Sequence, residues 1–274
     1  IKERSLKQYR FAVGELAKTG EQPADLTAQD LINLEADMRQ RLKPGTVKNR
    51  KAQIASFLMW AVYGVRARKG QYPECVLDAW KVETNHKPRA EEGDGMAPPK
   101  TLVTFDDLKA LLTVVATVDP AHEIRNRALF ALLWDSGARA GEIVAVRGVS
   151  EGLKIGQVTV KGDHAELALE GKTGRRTNVP IVFSVPYLKR WLNVHPDGGN
   201  PDAPLWPTEK GTQLEYKFLH ALLKRMVDAA RRAGYMLPAD ISPHSMRHGR
   251  AQYAKTVEGL GDEQMRALFG WNPG

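Results

Sequence analysis

The chain has 274 residues, 42% of them hydrophobic, and its 40 Lys and Arg side chains outnumber 32 Asp and Glu, which gives a formal charge of +8. This composition excludes a wholly disordered chain, and no apolar run is long enough to span a membrane. The length favours two domains, and the positive charge favours a polyanionic partner, nucleic acid before a membrane surface. A lone Cys75 excludes an internal disulfide and is typical of a reducing, cytoplasmic compartment.

A polar segment over residues 85–100 divides the chain. Its sequence, "NHKPRAEEGDGMAPPK", mixes charges with Gly and Pro and has no apolar period, so it predicts a linker. We therefore expect one domain over residues 1–84 and a second over residues 101–274. Both parts carry an excess of basic residues, as expected if both contact one long anion.

The first domain is predicted to be helical. Apolar residues recur at helical spacing in "SLKQYRFAVGELAK" and, after Thr27, in "TAQDLINLEADMRQRL". Pro44 and Gly45 break the chain, Thr46 is the predicted cap, and "TVKNRKAQIASFLMWAVYGV" is a predicted long helix. Its opening turns are basic and its later turns apolar. In isolation that pattern favours a solvated helix end over a nucleic-acid contact.

The second domain is predicted to place helices around a small sheet. "VTFDDLKALL" has a Thr-x-x-Asp capping pattern, and "IRNRALFALLWDSG" is a further helix that Gly137 ends. "QVTVKG", "AELALEG" and "RRTNVPIV" predict a three-stranded antiparallel sheet. Helices resume at "VPYLKRWL" and continue to the end. The predicted fold class is mainly α with a small antiparallel β-sheet.

Four motifs of the second domain carry residues that can bind an anion. They are "DSGARAGEIVAV", "EGKTGRRTNVPI", "SPHSMRHGRAQY" and a Gly-Trp pair near the end; their candidate residues are Arg139, Glu142, Lys172, His244, Arg247, His248 and Trp271. Taken singly, each motif has a structural explanation. An Arg-x-x-Glu pair is usually a local ion pair, a hairpin lysine is usually solvated, and His-x-x-Arg spacing merely places two side chains on one helix face. The third motif, which also holds Arg250, crowds two histidines and two arginines onto adjoining turns, where they repel unless an anion lies in front of them.

In this order the four motifs resemble the tyrosine recombinase (phage integrase) family. That family has an arginine in a Gly-x-Arg-x-x-Glu box, a lysine in the second hairpin of a small sheet, a second arginine in His-x-x-Arg, and a His or Trp after a later glycine. "KPGTVKNRKAQIASFLMWAV" is similar to its core-binding domain, and "TLVTFDDLKALL" to the start of its catalytic domain. The resemblance implies a helical core-binding domain and an α+β catalytic domain that form a C-shaped clamp around double-stranded DNA.

The resemblance also implies roles for the charged residues. Arg139 and Arg247 would clamp the non-bridging oxygens of one scissile phosphate, a task that suits planar guanidinium donors. Lys172 would protonate the departing 5′ oxygen. The reaction would be site-specific recombination through a 3′-phosphotyrosyl intermediate, in integration or excision of a mobile element, with chromosome-dimer resolution as the second setting. The active assembly would be a homotetramer on paired sites.

The remaining site residues would support that phosphate. His244 would hydrogen-bond the phosphate or assist the proton of the nucleophile, and Trp271 would hold a phosphate oxygen through its indole N–H. Glu142 would orient Arg139 or His248. The family needs neither a metal nor a cofactor, because its arginines supply the positive charge. Expected DNA contacts from both domains are Thr46, Lys48, Asn49, Arg50, Lys51, Arg66, Arg68, Lys69, Arg175 and Arg176.

The family's nucleophilic tyrosine, expected roughly nine residues beyond the Gly-Trp pair, does not occur within the 274 residues. The explanations are a chain cut short of the tyrosine, which we favour, a tyrosine from a partner subunit, and a relative that only binds DNA. Tyr253 lies where the family has ordinary helix packing. Alternative functions are therefore a non-catalytic DNA-binding protein, a type IB topoisomerase-like relaxing enzyme, or an unrelated helical nucleic-acid-binding protein.

Overall fold

The computed structural model describes residues 3–64, 72–80, 101–170 and 176–270. The chain forms two compact units, residues 1–96 and 97–274. The predicted linker and the predicted domain limit at residue 84 lie outside the described residues, so those limits remain predictions. Within the part of the chain that the structure describes, no helix combines the length and the apolar character needed to cross a membrane.

The first unit is helical, as predicted. Its helices are α1 (Glu3–Leu16), α2 (Ala28–Arg41), α3 (Pro44–Tyr63) and α4 (Glu74–Trp80), with a short 3-10 turn over Ala17–Thr19. Thr27 caps α2 in a capping box with Asp30, because the hydroxyl accepts from the Asp30 N–H and the carboxylate accepts from the Thr27 N–H. This confirms the predicted start of α2.

The predicted cap of α3 is wrong. The helix begins at Pro44 with Lys43 as its N-cap, so Thr46 lies in the first turn rather than ahead of it. Pro is well suited to the first helical position, because its fixed φ matches the helix and its missing N–H would have had no intrahelical partner there. Pro44 therefore starts this helix instead of breaking the chain.

The core of the first unit forms where α1 packs on α3 and α2 packs on α4. Its buried residues include Leu31, Met38, Ile54 and Leu58. Trp80 joins that core and donates its indole N–H to the Leu31 carbonyl at 3.2 Å. The apolar later turns of α3 therefore pack inward, as their sequence predicts.

The second unit carries helices around a sheet. Its helices are α5 (Phe105–Thr113), α6 (Val115–Val118), α7 (Glu123–Asp135), α8 (Ala140–Ile143), α9 (Val185–Asn193), α10 (Tyr216–Arg232), α11 (Pro243–Thr256) and α12 (Asp262–Phe269). Short 3-10 turns span Pro120–His122 and Ile155–Gln157. Thr104 caps α5 in a capping box with Asp107, as its Thr-x-x-Asp pattern predicts.

The predicted antiparallel sheet is confirmed. Strands β1 (Val158–Lys161), β2 (His164–Glu170) and β3 (Arg176–Ile181) pair in the order β1-β2-β3. Leu167 lies opposite Val158 on one side and Val179 on the other. Alternate residues of β2 are buried, so one face of the sheet covers the core.

Helix α7 runs through the centre of the second unit. Its residues from Ala128 to Asp135 are all buried, and α5, α9 and α11 pack around it. A helix enclosed on all sides is held in a fixed position. The turn at its C-terminal end is therefore a rigid place to build a site.

Candidate active site

Arg247 lies at the centre of the candidate site. Ser242 caps α11 and Pro243 opens it, so the His-x-x-Arg motif occupies the first turns of the helix, as predicted. The Arg247 side chain is buried. Its guanidinium donates from Nη1 to the Gly137 carbonyl at 2.6 Å and from Nη2 to the Phe269 carbonyl at 2.7 Å. Two chain segments distant in sequence, the ends of α7 and α12, thus hold this side chain in place.

Arg139 reaches the same region from the turn after α7. It is the N-cap of α8, and its own N–H donates to Glu142 Oε2 at 2.7 Å while its Nη1 donates to Glu142 Oε1 at 3.0 Å. The Glu142 side chain is only 11% exposed, whereas the Arg139 side chain is 52% exposed. The carboxylate thus contacts an exposed guanidinium, and the role of Glu142 in orienting Arg139 stays a prediction.

The two guanidinium groups repel each other. Burial and, to a smaller extent, the positive charge of Arg139 lower the pKa of Arg247 to about 10, although the Glu142 carboxylate opposes both effects. A cation that is buried beside another cation is costly unless an anion compensates it. The arrangement therefore favours binding of an anion in front of Arg139 and Arg247.

Two histidines flank Arg247 on α11. His244 is exposed and His248 is half-buried. Their rings meet edge to face, with centroids 4.3 Å apart and planes at 74°. Positions four apart share one helix face, so both imidazoles lie on the same side of α11.

The turn between α7 and Arg139 depends on glycine. Gly137 has a φ of 56°, in the left-handed region, and a Cβ there would lie 2.3 Å from Cε1 of Phe269 and 3.2 Å from Cγ of Arg250. No side chain fits such contacts without displacing its neighbours. The predicted glycine stop is confirmed, and it also lets α12 approach the turn that offers its carbonyl to Arg247.

Sequence reasoning missed Asp135 and Ser184, which join the end of α7 to the segment that leads into α9. Oδ2 of Asp135 accepts hydrogen bonds of 2.9 Å from the Val182 N–H, the Ser184 N–H and the Ser184 hydroxyl. Burial raises the pKa of the Asp135 carboxyl, while those hydrogen bonds and the charge of Arg250 oppose the rise. An aspartate at a helix end has many possible partners, so no sequence signal identifies residues 47 and 49 positions away as its partners.

Several predicted site residues lie outside the described residues. Lys172 and Arg175 belong to the segment between Glu170, the last residue of β2, and β3, so their predicted hairpin position stays a prediction. Four more predicted site residues lie outside the described residues: Trp271, Arg66, Arg68 and Lys69. Arg176 starts β3, and nothing is described of its side chain.

The basic residues of α3 fall into two groups. Thr46, Lys48 and Asn49 are exposed. Arg50 instead donates from Nη1 to the Gln8 carbonyl at 2.8 Å and lies 5.1 Å above the Phe11 ring.

Lys51 is also engaged within the first unit. Its ammonium lies 2.5 Å from Oε2 of Glu35 and 5.4 Å from the Trp80 ring centroid. Arg50 and Lys51 therefore contribute contacts within the first unit, whereas Thr46, Lys48 and Asn49 present their side chains to solvent.

Tyr253 packs inside the second unit, as expected. Its ring lies 5.6 Å from that of Phe105 and 5.2 Å from that of Trp134. Met246 on the same helix is fully buried. Across the described ranges, no group of three or more His, Cys, Asp or Glu is arranged to hold a metal ion.

This combination of a helical unit, a helix-wrapped antiparallel sheet and two neighbouring arginines near the starts of α8 and α11 is typical of tyrosine recombinases. Residues 101–272, more than half of the chain, match the phage integrase family. The chain belongs to that family.

Similar proteins with curated names are tyrosine recombinases. XerC of Rhodospirillum centenum is 30% identical over 151 residues, covering 54% of this chain and 40% of that protein. XerC of Xanthomonas campestris pv. campestris (strain B100) is 25% identical over 228 residues, covering 83% and 60%, and XerD of Ralstonia nicotianae is 32% identical over 164 residues, covering 57% and 48%. The chain thus spans 40% to 60% of the length of these relatives.

Solved structures share the fold. A λ integrase dimer bound to a COC′ core site aligns with a TM-score of 0.69 at 14% identity, over the whole of this chain and 70% of that chain. XerH recombinase bound to its difH substrate aligns with a TM-score of 0.62 at 17% identity, over 91% and 65%. Together with the helices and sheet described above, these likenesses establish the predicted fold class.

Proposed function

We propose that this chain is part of a site-specific DNA recombinase that cuts and rejoins duplex DNA through a 3′-phosphotyrosyl intermediate. The observation that carries the proposal is the pair of arginines at one site. Arg139 is exposed and donates a hydrogen bond to Glu142, and Arg247 is buried and donates to two carbonyls. The proposed setting is integration and excision of a mobile element, by a cytoplasmic, nucleoid-associated protein.

The proposed chemistry depends on the guanidinium N–H donors that the contacts described above do not use. A guanidinium has five N–H donors, and the contacts described above use two of those on Arg247. The other donors can hydrogen-bond the non-bridging oxygens of a phosphodiester. Charge grows on those oxygens as the tyrosine attacks, so donors already in place stabilise the transition state more than the ground state.

The proton transfers are assigned by family membership. Lys172 is proposed to protonate the departing 5′ oxygen, and His244, exposed beside Arg247, to hydrogen-bond the phosphate or assist the proton of the nucleophile. Trp271 is proposed to close the pocket, and His248 and Glu142 to orient the groups that touch the phosphate. The phosphotyrosyl bond conserves the energy of the broken phosphodiester, so the reaction needs no ATP.

Double-stranded DNA is the proposed partner, bound by both units, with a homotetramer as the active assembly. The λ integrase and XerH structures with the same fold hold DNA, and a λ integrase tetramer holds a Holliday junction. Thr46, Lys48 and Asn49 are proposed contacts of the first unit. Because such contacts release counterions from DNA, the affinity should fall steeply with salt.

Covalent trapping tests the proposal. A duplex is first selected from random-sequence DNA by binding to the chain and is then incubated with protein expressed from its complete reading frame. A protein–DNA species that survives SDS and disappears after proteolysis is the expected result. Tight DNA binding without that species would leave the non-catalytic DNA-binding protein as the function. Relaxation of supercoiled DNA by a monomer without site preference would instead favour the topoisomerase-like enzyme.

A further inference from the structure

Arg250 belongs to the crowded α11 motif, and the roles proposed above do not use it. It lies one turn beyond Arg247, and its side chain is buried. Its Nε donates to the Asp135 carbonyl at 2.9 Å, and its Nη1 donates to Oε2 of Glu258 at 2.8 Å. Its guanidinium carbon lies 5.5 Å from the Trp134 ring centroid.

Arg250 and Arg247 bind one turn of the chain together. Arg250 contacts the carbonyl of Asp135, and Arg247 contacts the carbonyl of Gly137, two residues later. Arg139 follows after two more residues. Two neighbouring arginines of α11 thereby fix the short segment that leads from the buried helix α7 to the exposed arginine.

Arg250 also connects the turn at Gly137 to the loop between α11 and α12. Glu258 lies between α11 and α12, and α12 ends at Phe269, whose carbonyl is the second acceptor for Arg247. The Arg250 side chain is 8% exposed and that of Glu258 is 36% exposed, so the pair joins an interior cation to a carboxylate near the surface. The segments that hold Arg247 and Arg139 therefore share Arg250 as a common contact.

Packing alone does not account for an arginine here. Burial of a guanidinium is costly, and an apolar side chain of similar volume often serves as well or better where only packing matters. Arg250 satisfies a carbonyl at the C-terminal end of α7, where the last carbonyls have no partner within the helix. A planar donor group that bonds two acceptors at once restricts how the turn can move.

We propose that Arg250 is a positioning residue: its contacts with the Asp135 carbonyl and Glu258 set the geometry of the Arg139 and Arg247 pair. Arg250 itself does not touch the phosphate. The proposal rests on the proposed function, because the pair is positioned for a phosphodiester. Displacement of a reacting group by about 1 Å can cost about a hundredfold in rate, so the effect should be large in cleavage and small in DNA binding.

The test compares single-turnover cleavage with DNA affinity. Protein from the complete reading frame, as wild type and as Arg250→Met, is assayed on a nicked duplex that carries the selected site. We expect the cleavage rate constant to fall at least about tenfold while Kd changes less than about twofold. Arg127→Met is the matched control, because Arg127 also pairs with a carboxylate, that of Glu123 at 2.8 Å, within α7. The control should change neither quantity.

A double-mutant cycle separates positioning from general destabilisation. In an Arg139→Ala background, Arg250→Met should slow cleavage by a clearly smaller factor than it does in wild type, because one of the two groups it positions is already gone. The proposal would be overturned if Arg250→Met slowed cleavage by the same factor with and without Arg139. It would also be overturned if Arg250→Met reduced the DNA affinity as much as the cleavage rate. If Arg250→Met does not fold, Glu258→Gln replaces it, since that carboxylate lies near the surface. Its rate should fall several-fold at unchanged affinity, and an unchanged rate would overturn the proposal.

A second measurement separates this proposal from the proposed function. Exchange of the Arg247 guanidinium hydrogens, followed by NMR in the DNA-free protein, needs no activity. We expect faster exchange in Arg250→Met than in wild type and in Arg127→Met. If the wild type cleaves no DNA and exchange still accelerates, the proposed function fails while the positioning of Arg247 stands. Unchanged exchange in Arg250→Met would overturn the positioning role, whether or not the wild-type protein cleaves DNA.

Discussion

The turn at Gly137 allows the effect of one added methyl group to be calculated. Its φ is 56°, and a Cβ would lie 2.3 Å from Cε1 of Phe269. A side chain in the left-handed region costs about 1–2 kcal/mol. Forcing a methyl group into packed neighbours costs about 1–3 kcal/mol more. We therefore expect Gly137→Ala to lower the free energy of unfolding by about 2–5 kcal/mol.

Gly162→Ala is the matched control for this change. Gly162 has a φ of 62°, and a Cβ there would meet nothing within 4 Å. Gly162→Ala should lower the free energy of unfolding only by the cost of a side chain in the left-handed region, about 1–2 kcal/mol. Urea unfolding of the intact chain, followed by circular dichroism, measures both variants. Equal losses would refute the reasoning, because they would mean that the contact with Phe269 places no constraint on Gly137.

Three further changes test the packing and the charges. Gly249→Ala would place a Cβ 1.7 Å from the Val103 carbonyl oxygen. In thermal melting, the free energy of unfolding should therefore fall by at least about 2 kcal/mol. An unchanged melting midpoint would contradict the close approach. Burial raises the pKa of Glu35, but hydrogen bonds from Lys51 and a neighbouring arginine outweigh it, so the pKa lies below its ordinary value. Stability from this group is present above the ordinary glutamate pKa and is lost as pH falls through the folded-state pKa; Glu35→Gln should flatten the acid side of a melting curve against pH, and an unaltered slope would exclude this role. In DNA binding, Lys48→Ala should reduce the salt slope by about 0.9, whereas Lys51→Ala should leave it unchanged, and the reverse order would contradict the assignment of the two lysines.

Features set by neighbouring residues could be predicted from the sequence. The caps at Thr27 and Thr104, the glycine stop at Gly137 and the antiparallel sheet each depend on a few adjacent residues, and the structure confirms them. The Arg139–Glu142 contact is also local, since three positions bring two side chains together at a helix start. The error at Thr46 arose where a proline can either end one segment or begin a helix.

Features set by distant residues could not be predicted. The acceptors of Arg247 are backbone carbonyls 110 and 22 residues away, and a carbonyl leaves no mark in the sequence. The basic run of α3 likewise gave no sign that Arg50 would bond the Gln8 carbonyl, 42 residues away. Both contacts follow from tertiary packing, which composition and periodicity do not describe.

The most direct test of the central claim, that Arg139 neutralises charge on a scissile phosphate, uses DNA in which a methyl group replaces one non-bridging oxygen of that phosphate. Wild type and Arg139→Ala, each from the complete reading frame, are compared in single-turnover cleavage. On ordinary DNA the variant should be at least about a hundredfold slower, the typical cost of removing one such donor. On the uncharged methylphosphonate the defect should shrink about tenfold or more, because the charge that Arg139 stabilises is gone. An equal defect on both substrates would contradict the account.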